Sequence, residues 1–289
     1  MKNFKINLKE ESNFPEDYHT DNYEKYYKGQ LIQQDLKPYS STFRKKYYSP
    51  NERENKHFKH IAPGHWHGYR FIIQNYTNIG DTILDPCAGS GTALVEAINN
   101  GRNAVGIEIE YGEIAEENCK FQNSKNNFII YKEDIRNIDK LIPKEFKCSL
   151  IITGTPYNNN SDAPERKKLG GKNSTFNYNK QLPNLAWLKD KEYYEALKEI
   201  YNKCINYLKP NGYFCIIIKD TIRNKSPYLL HKHLTEILLE TGKLELEAVY
   251  LHKHHPPTLF MSTYNKIWKT NIKVPKYQTI VVLKKNDRI

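Results

Sequence analysis

Residues 82 to 110 constrain the chain more than any other stretch. They read Thr-Ile-Leu-Asp-Pro-Cys-Ala-Gly-Ser-Gly-Thr-Ala-Leu-Val-Glu-Ala, then Ile-Asn-Asn-Gly-Arg-Asn-Ala-Val-Gly-Ile-Glu-Ile-Glu. Ile83 and Leu84 make a short apolar run ending at Asp85. The spacing of Leu94, Val95, Ala97 and Ile98 predicts a helix over Thr92 to Asn99, and Ala104 to Ile109 is apolar and β-branched. Gly101 supplies the helix stop. The order is therefore strand, glycine turn, helix, strand. Gly89 and Gly91 stand where the chain must turn sharply, and their missing side chains let a ligand lie against the backbone at the helix N-terminus. Glu108 closes the second strand roughly 20 residues beyond the turn, where a carboxylate can accept hydrogen bonds from a ribose diol. The stretch predicts a pocket for a nucleoside cofactor.

A dinucleotide turn needs a third glycine and little negative charge facing its pyrophosphate. Here Thr92, Ala93 and Leu94 follow Gly91, and Asp85 stands just before the turn, which suits a cationic amino-acid moiety better than a phosphate. Those two features favour S-adenosylmethionine over NAD. The run resembles the Asp-Pro-Phe-x-Gly-Ser-Gly-Thr motif of DNA methyltransferases acting on exocyclic amines, N4 of cytosine or N6 of adenine, with Cys87 in place of Phe. The resemblance implies that Asp85, Ala88, Gly89 and Gly91 face the methionine part. Pro86, Ser90, Thr92 and Thr153 are further cofactor contacts, Glu108 takes the ribose and Asp134 the adenine amino group. As a lone Asp after a strand, Asp134 also fits a helix cap. A His-x-x-Pro segment before a helix often contacts the methionine end in such enzymes, and His60 to Pro63 matches it loosely.

The acceptor side is expected after the fourth strand, Ser149 to Thr153, because ligands of open α/β sheets bind beyond the carboxyl ends of strands at the switch point. The family there carries Asp, Asn or Ser, then Pro-Pro and an aromatic residue; this chain carries Gly154, Thr155, Pro156 and Tyr157. By the resemblance those four are the catalytic positions. A side-chain oxygen and a backbone carbonyl accepting the two N–H bonds favour a pyramidal, nucleophilic amine, and the aromatic ring stacks on a base swung out of its duplex. Gly154 lacks the side-chain acceptor. Three readings stay open: a hydroxyl of Thr153 or Thr155 substitutes, the enzyme is altered and slower, or the protein binds cofactor and nucleic acid without catalysis. RNA methylation is a further alternative. The favoured reading is an S-adenosylmethionine-dependent DNA amino-methyltransferase. The Ile-Ile-Thr lead and Asn158 to Asn160 resemble cytosine-N4 more than adenine-N6 enzymes. On the non-catalytic reading, Gly154→Ser or Gly154→Asp with Thr155→Pro should create activity.

Strands alternating with helices over the remaining chain predict a Rossmann-like, doubly wound α/β fold. Its sheet is mostly parallel and seven-stranded, with helices on both faces and the last two strands as a hairpin. Helices are expected at 60–80, at Tyr111 to Gln122, at Lys191 to Leu208 (ended by Pro210, Asn211 and Gly212) and at His231 to Leu239. The expected organisation is a basic, aromatic extension over 1–60 and a catalytic domain over 61–289, with 158–188 an acceptor-side loop that contacts DNA. Lys and Arg number 44 against 33 Asp and Glu, a formal charge of +11, which suits a polyanion. Basic runs at Arg44 to Lys46 beside Phe43, Tyr47 and Tyr48, and at 252–276, are candidate DNA contacts. DNA, with its base flipped, is the expected partner, together with a restriction or recognition protein. The five cysteines form no Cys-x-x-Cys pair, a reduced pattern without a zinc site. His65 and His67 lack further ligands nearby. No apolar run approaches the ~18 residues of a membrane span, so a cytoplasmic protein is expected.

Overall fold

A computed structural model describes residues 31–34, 66–122, 125–157, 179, 181–223, 226–253 and 277–286. In chain order these give strand β1 (Leu31–Gln34), helix α1 (Trp66–Tyr76), β2 (Thr82–Asp85), α2 (Thr92–Asn99), β3 (Asn103–Ile107), α3 (Gly112–Phe121), β4 (Phe128–Tyr131), α4 (Ile138–Leu141) and β5 (Cys148–Thr153). There follow α5 (Asp190–Ile205), β6 (Leu208–Ile218), β7 (Thr221–Arg223), β8 (Ser226–Tyr228), α6 (Leu230–Leu239), β9 (Leu244–Lys253) and β10 (Tyr277–Lys285).

The main sheet has eight strands in the order β1-β9-β10-β6-β5-β2-β3-β4. Seven are those expected, and β9 and β10 form the antiparallel hairpin. The eighth is β1, which pairs parallel to β9 at the sheet edge. Its Leu-Ile-Gln-Gln sequence lies in a polar region without the alternation that marks a strand. β2, β3, β4, β5 and β6 are parallel to their neighbours. From β2 the chain winds outward through β3 to β4, then returns to β5 on the other side of β2, so the switch point lies between β2 and β5.

The strands alternate, and the alternation builds two cores. Ile83, Leu150, Ile152, Cys215, Ile217, Ile280 and Val282 face α1, α2 and α3 on one side. Leu84, Ile151, Phe214, Ile216, Val281 and Leu283 face α4, α5 and α6 on the other. Two boundaries differ from expectation. The helix expected to reach Leu208 ends at Ile205, and Leu208 already pairs with Cys148 of β5. Pro210, Asn211 and Gly212 are thus an irregularity inside β6: Asn211 takes φ 58, and the β5–β6 pairing slips between Cys148 and Leu150. Turn-forming residues read as a break because sequence does not tell a bulge from a turn.

Candidate active site

Beyond the carboxyl ends of β2 and β5 lies one cavity, lined from both loops. Pro86 to Ser90, Thr92 and Glu108 form one wall, and Gly154, Thr155, Pro156 and Tyr157 form another. Ser90 Oγ and Thr92 Oγ1 are buried and have no hydrogen-bond partner among the described residues. Both residues belong to the cavity wall, at the N-terminus of α2, where the first turn's N–H groups favour an anion.

Glu108 is held by three backbone N–H groups. Oε2 accepts from Gly89 at 2.7 Å, and Oε1 accepts from Glu110 at 2.9 Å and from Tyr111 at 3.2 Å. A carboxylate offers roughly four lone-pair sites, which leaves one on Oε2 for a ligand hydroxyl. Burial pushes the Glu108 carboxyl above its ordinary pKa, against those three hydrogen bonds. Asp85 lies deeper, beneath the turn. It is 2 % exposed, accepts the Cys87 N–H at 3.0 Å and is not part of the cavity wall. Burial, helped by the charge of Glu108, raises its pKa to about 8.

Gly91 has a different task from the one its sequence suggests. It takes φ 81 at the start of α2, and an added Cβ would lie 3.1 Å from both Cα and Cβ of Ala115. The missing side chain makes room for α3 rather than for a ligand, and Gly91 is not in the cavity wall. Asp134 does line the cavity. It also caps the turn at Ile135–Asn137 and holds the Arg136 guanidinium with both carboxylate oxygens. Arg136 in turn donates to the Pro183 carbonyl on the facing rim.

On the acceptor side, Thr155 turns its hydroxyl onto Tyr201 of α5. Thr153 is fully buried outside the cavity wall, and its Oγ1 has no hydrogen-bond partner among the described residues. The Thr155 hydroxyl is thus engaged elsewhere, and Thr153 does not reach the wall where the absent side chain would act. The Pro156 carbonyl accepts the Tyr193 hydroxyl. Tyr157 Oη accepts the Lys219 N–H at 3.1 Å, and burial pushes its phenol up to about 12. Against Gly154 stands Tyr69 of α1: a Cβ added at Gly154 would lie 2.6 Å from its hydroxyl oxygen. Tyr69 lines the same cavity.

Comparison with known proteins finds similarity over the first part of the chain. Residues 2–117 match the family model described as DNA methylase. Over that span, less than half of the chain, the sequence is similar to the DNA methylase family. A curated relative, the type II methyltransferase M.MjaII of Methanocaldococcus jannaschii, is 31% identical over 110 residues, covering 34% of this chain and 19% of that protein. The match therefore spans about a fifth of the relative's length. Among solved structures, a chain titled putative rRNA-methylase from Clostridium thermocellum aligns with TM-score 0.45 and 12% identity over 75% of this chain and 95% of that one. TrmN from Thermus thermophilus aligns with TM-score 0.45 and 13% identity over 79% and 52%.

The DNA methylase match includes Asp85, the glycine turn and Glu108 and ends before Gly154. Tyr69, Glu110 and Asn184 were not legible as site residues. Tyr69 sits at core spacing in an amphipathic helix, which reads as packing. Glu110 stands two residues after Glu108 and fixes the rim, accepting from the Asn179 N–H at 3.0 Å and from Asn184 Nδ2 at 3.3 Å. His60 to His65, the basic run at 43–48, residues 158–178 and the segment at 254–276 lie outside the described residues. Among the described residues no helix is long and apolar enough to cross a membrane.

Proposed function

We propose that this protein transfers a methyl group from S-adenosylmethionine to an exocyclic amine of a DNA base, cytosine N4 before adenine N6. One observation supports the reading above all others: the glycine turn and the Gly154–Tyr157 loop line a single cavity at the switch point. The residues present fit the cofactor. Ser90 Oγ and Thr92 Oγ1 are buried hydroxyls without partners among the described residues, at a helix N-terminus suited to a carboxylate. Glu108 keeps one acceptor site for a ribose hydroxyl, and the buried Asp85 carboxyl gains its charge beside a cation. S-adenosylmethionine, held by Ser90, Thr92 and Glu108, would supply an electrophilic methyl group to the amine nitrogen, and the amine's surplus proton would leave to solvent.

The chain's own residues position the amine. In this reading the Thr155 carbonyl accepts one amine N–H, and the Tyr157 ring, held through the Lys219 N–H, is the surface on which the base stacks. The N-terminal extension, the 158–188 loop and the 252–276 segment supply the basic groups for the DNA backbone, and the protein works in the cytoplasm with a recognition or restriction partner.

The test is mass spectrometry of nucleosides from DNA incubated with the protein and methyl-deuterated cofactor. The expected product is labelled N4-methylcytosine. Labelled N6-methyladenine would correct the base, label in RNA alone would correct the acceptor, and no labelled nucleoside would overturn the reading.

A further inference from the structure

We propose that the Tyr69 hydroxyl is the side-chain acceptor for the target amine, replacing from another element the group that Gly154 lacks. The inference rests on the methyl-transfer reading above. A Cβ built on Gly154 would meet Tyr69 Oη at 2.6 Å, while the ring carbon Cζ stays at 3.9 Å and the Ile217 carbonyl at 3.8 Å. The phenol oxygen therefore occupies the space that an Asp, Asn or Ser side chain at 154 would fill. The two arrangements exclude one another. Tyr69 is 5 % exposed, and what it exposes lines the cavity shared with Pro156 and Tyr157. A phenol oxygen keeps acceptor capacity whatever its own hydrogen does, so it can receive an amine N–H while the Thr155 carbonyl receives the other.

The hydroxyl is placed by its neighbours in sequence. Gly68 lets α1 close onto the sheet, since a Cβ there would lie 3.2 Å from Ile280 Cδ1. Arg70 clamps α1 to α2 through Glu96, Nε to Oε2 at 2.7 Å and Nη2 to Oε1 at 3.3 Å. With the helix fixed on both sides, the Tyr69 hydroxyl is held against the Gly154 loop. A rigid placement of this kind is what an acceptor needs to act on a developing charge without reorganising.

The experiment compares Tyr69→Phe, Gly154→Ser and the double variant in the full-length chain. Tyr69→Phe keeps the ring and should lower kcat about 100-fold, with KM for DNA and calorimetric affinity for the cofactor unchanged. Because Cζ is 3.9 Å from the built Cβ, the double variant has room for a hydroxyl on residue 154 and should regain about tenfold of the lost rate. A readout independent of turnover is melting temperature. Gly154→Ser alone should lower it by about 3 °C or more, and in the Tyr69→Phe background that loss should vanish. Transfer by Tyr69→Phe within about twofold of the unaltered chain, or an equal melting loss in both backgrounds, would overturn the role of Tyr69 and leave methyl transfer standing. Absence of transfer by the unaltered chain would overturn both, and is distinguished by that inactivity.

Discussion

The carboxyls of Glu108, in the cavity wall, and Asp85, buried beneath the turn, are separated by their environments. Glu108 is held by three N–H groups, whereas Asp85 has one and is fully enclosed. Folding raises the Asp85 pKa from 3.8 to about 8, so between those values the folded chain holds a proton that the unfolded chain has released. The unfolded state binds fewer protons, and stability falls as pH rises through that window. Asp85→Asn removes the effect and can still accept the Cys87 N–H. Its stability advantage over the unaltered chain, measured by urea unfolding, should grow by about 1 kcal/mol per pH unit between pH 5 and 8. The same proton should leave when the cationic cofactor binds, read as a buffer-dependent enthalpy in calorimetry. For Glu108→Gln, an amide nitrogen would face backbone donors. Cofactor affinity should drop about 10- to 100-fold, a loss of roughly 1.5–3 kcal/mol, while unchanged affinity would remove the ribose assignment.

Helix α1 shows how far an element can be read from sequence and where reading stops. Its apolar spacing marked a helix packed on the sheet, and Trp66, Tyr69, Ile72 and Ile73 are buried as that spacing requires. Periodicity reports which face is inward, though not which inward side chain meets a cavity, so Tyr69 passed for core. Its polar clamp was equally hidden, because Arg70 and Glu96 are 26 residues apart. Burial lifts the Glu96 pKa to about 7 against the pull of Arg70. Arg70→Met should cost about 2 kcal/mol in chemical denaturation, less than a fully buried broken pair, since Arg70 is partly exposed and Glu96 can take up a proton. Kinetically, methyl transfer should suffer with it, because α1 carries Tyr69. At the start of α2, Gly91→Ala forces a left-handed φ and a 3.1 Å approach to the Ala115 backbone. A loss of about 2 kcal/mol is expected, with the cavity's hydroxyls displaced as α2 shifts.

At the scale of the molecule, the fold follows from a simple rule: strands with apolar residues on both faces must be covered on both faces. That rule and the order of elements made the doubly wound sheet legible, together with its switch point and hence the region of the site. What stayed hidden depends on contacts across long sequence separation: the edge strand at Leu31–Gln34, the slip in β6 at Asn211, and the rim tied together by Glu110 and Arg136. The excess of positive charge, +11 in all, predicts that DNA affinity weakens steeply with salt. A linear fall of log K against log salt with slope near −5, from about five or six phosphate contacts, is expected by fluorescence anisotropy; a flat dependence would exclude a backbone-binding face.

Methyl donor and target amine are proposed to share the cavity between the β2 and β5 loops, which diffraction from crystals grown with S-adenosylhomocysteine would reveal. Expected are a ribose hydroxyl on Glu108, the amino-acid end at Ser90 and Thr92, and the sulfur facing the Gly154–Tyr157 wall. A cofactor bound elsewhere, or bound here with its sulfur turned away from Tyr69 and Tyr157, would contradict it.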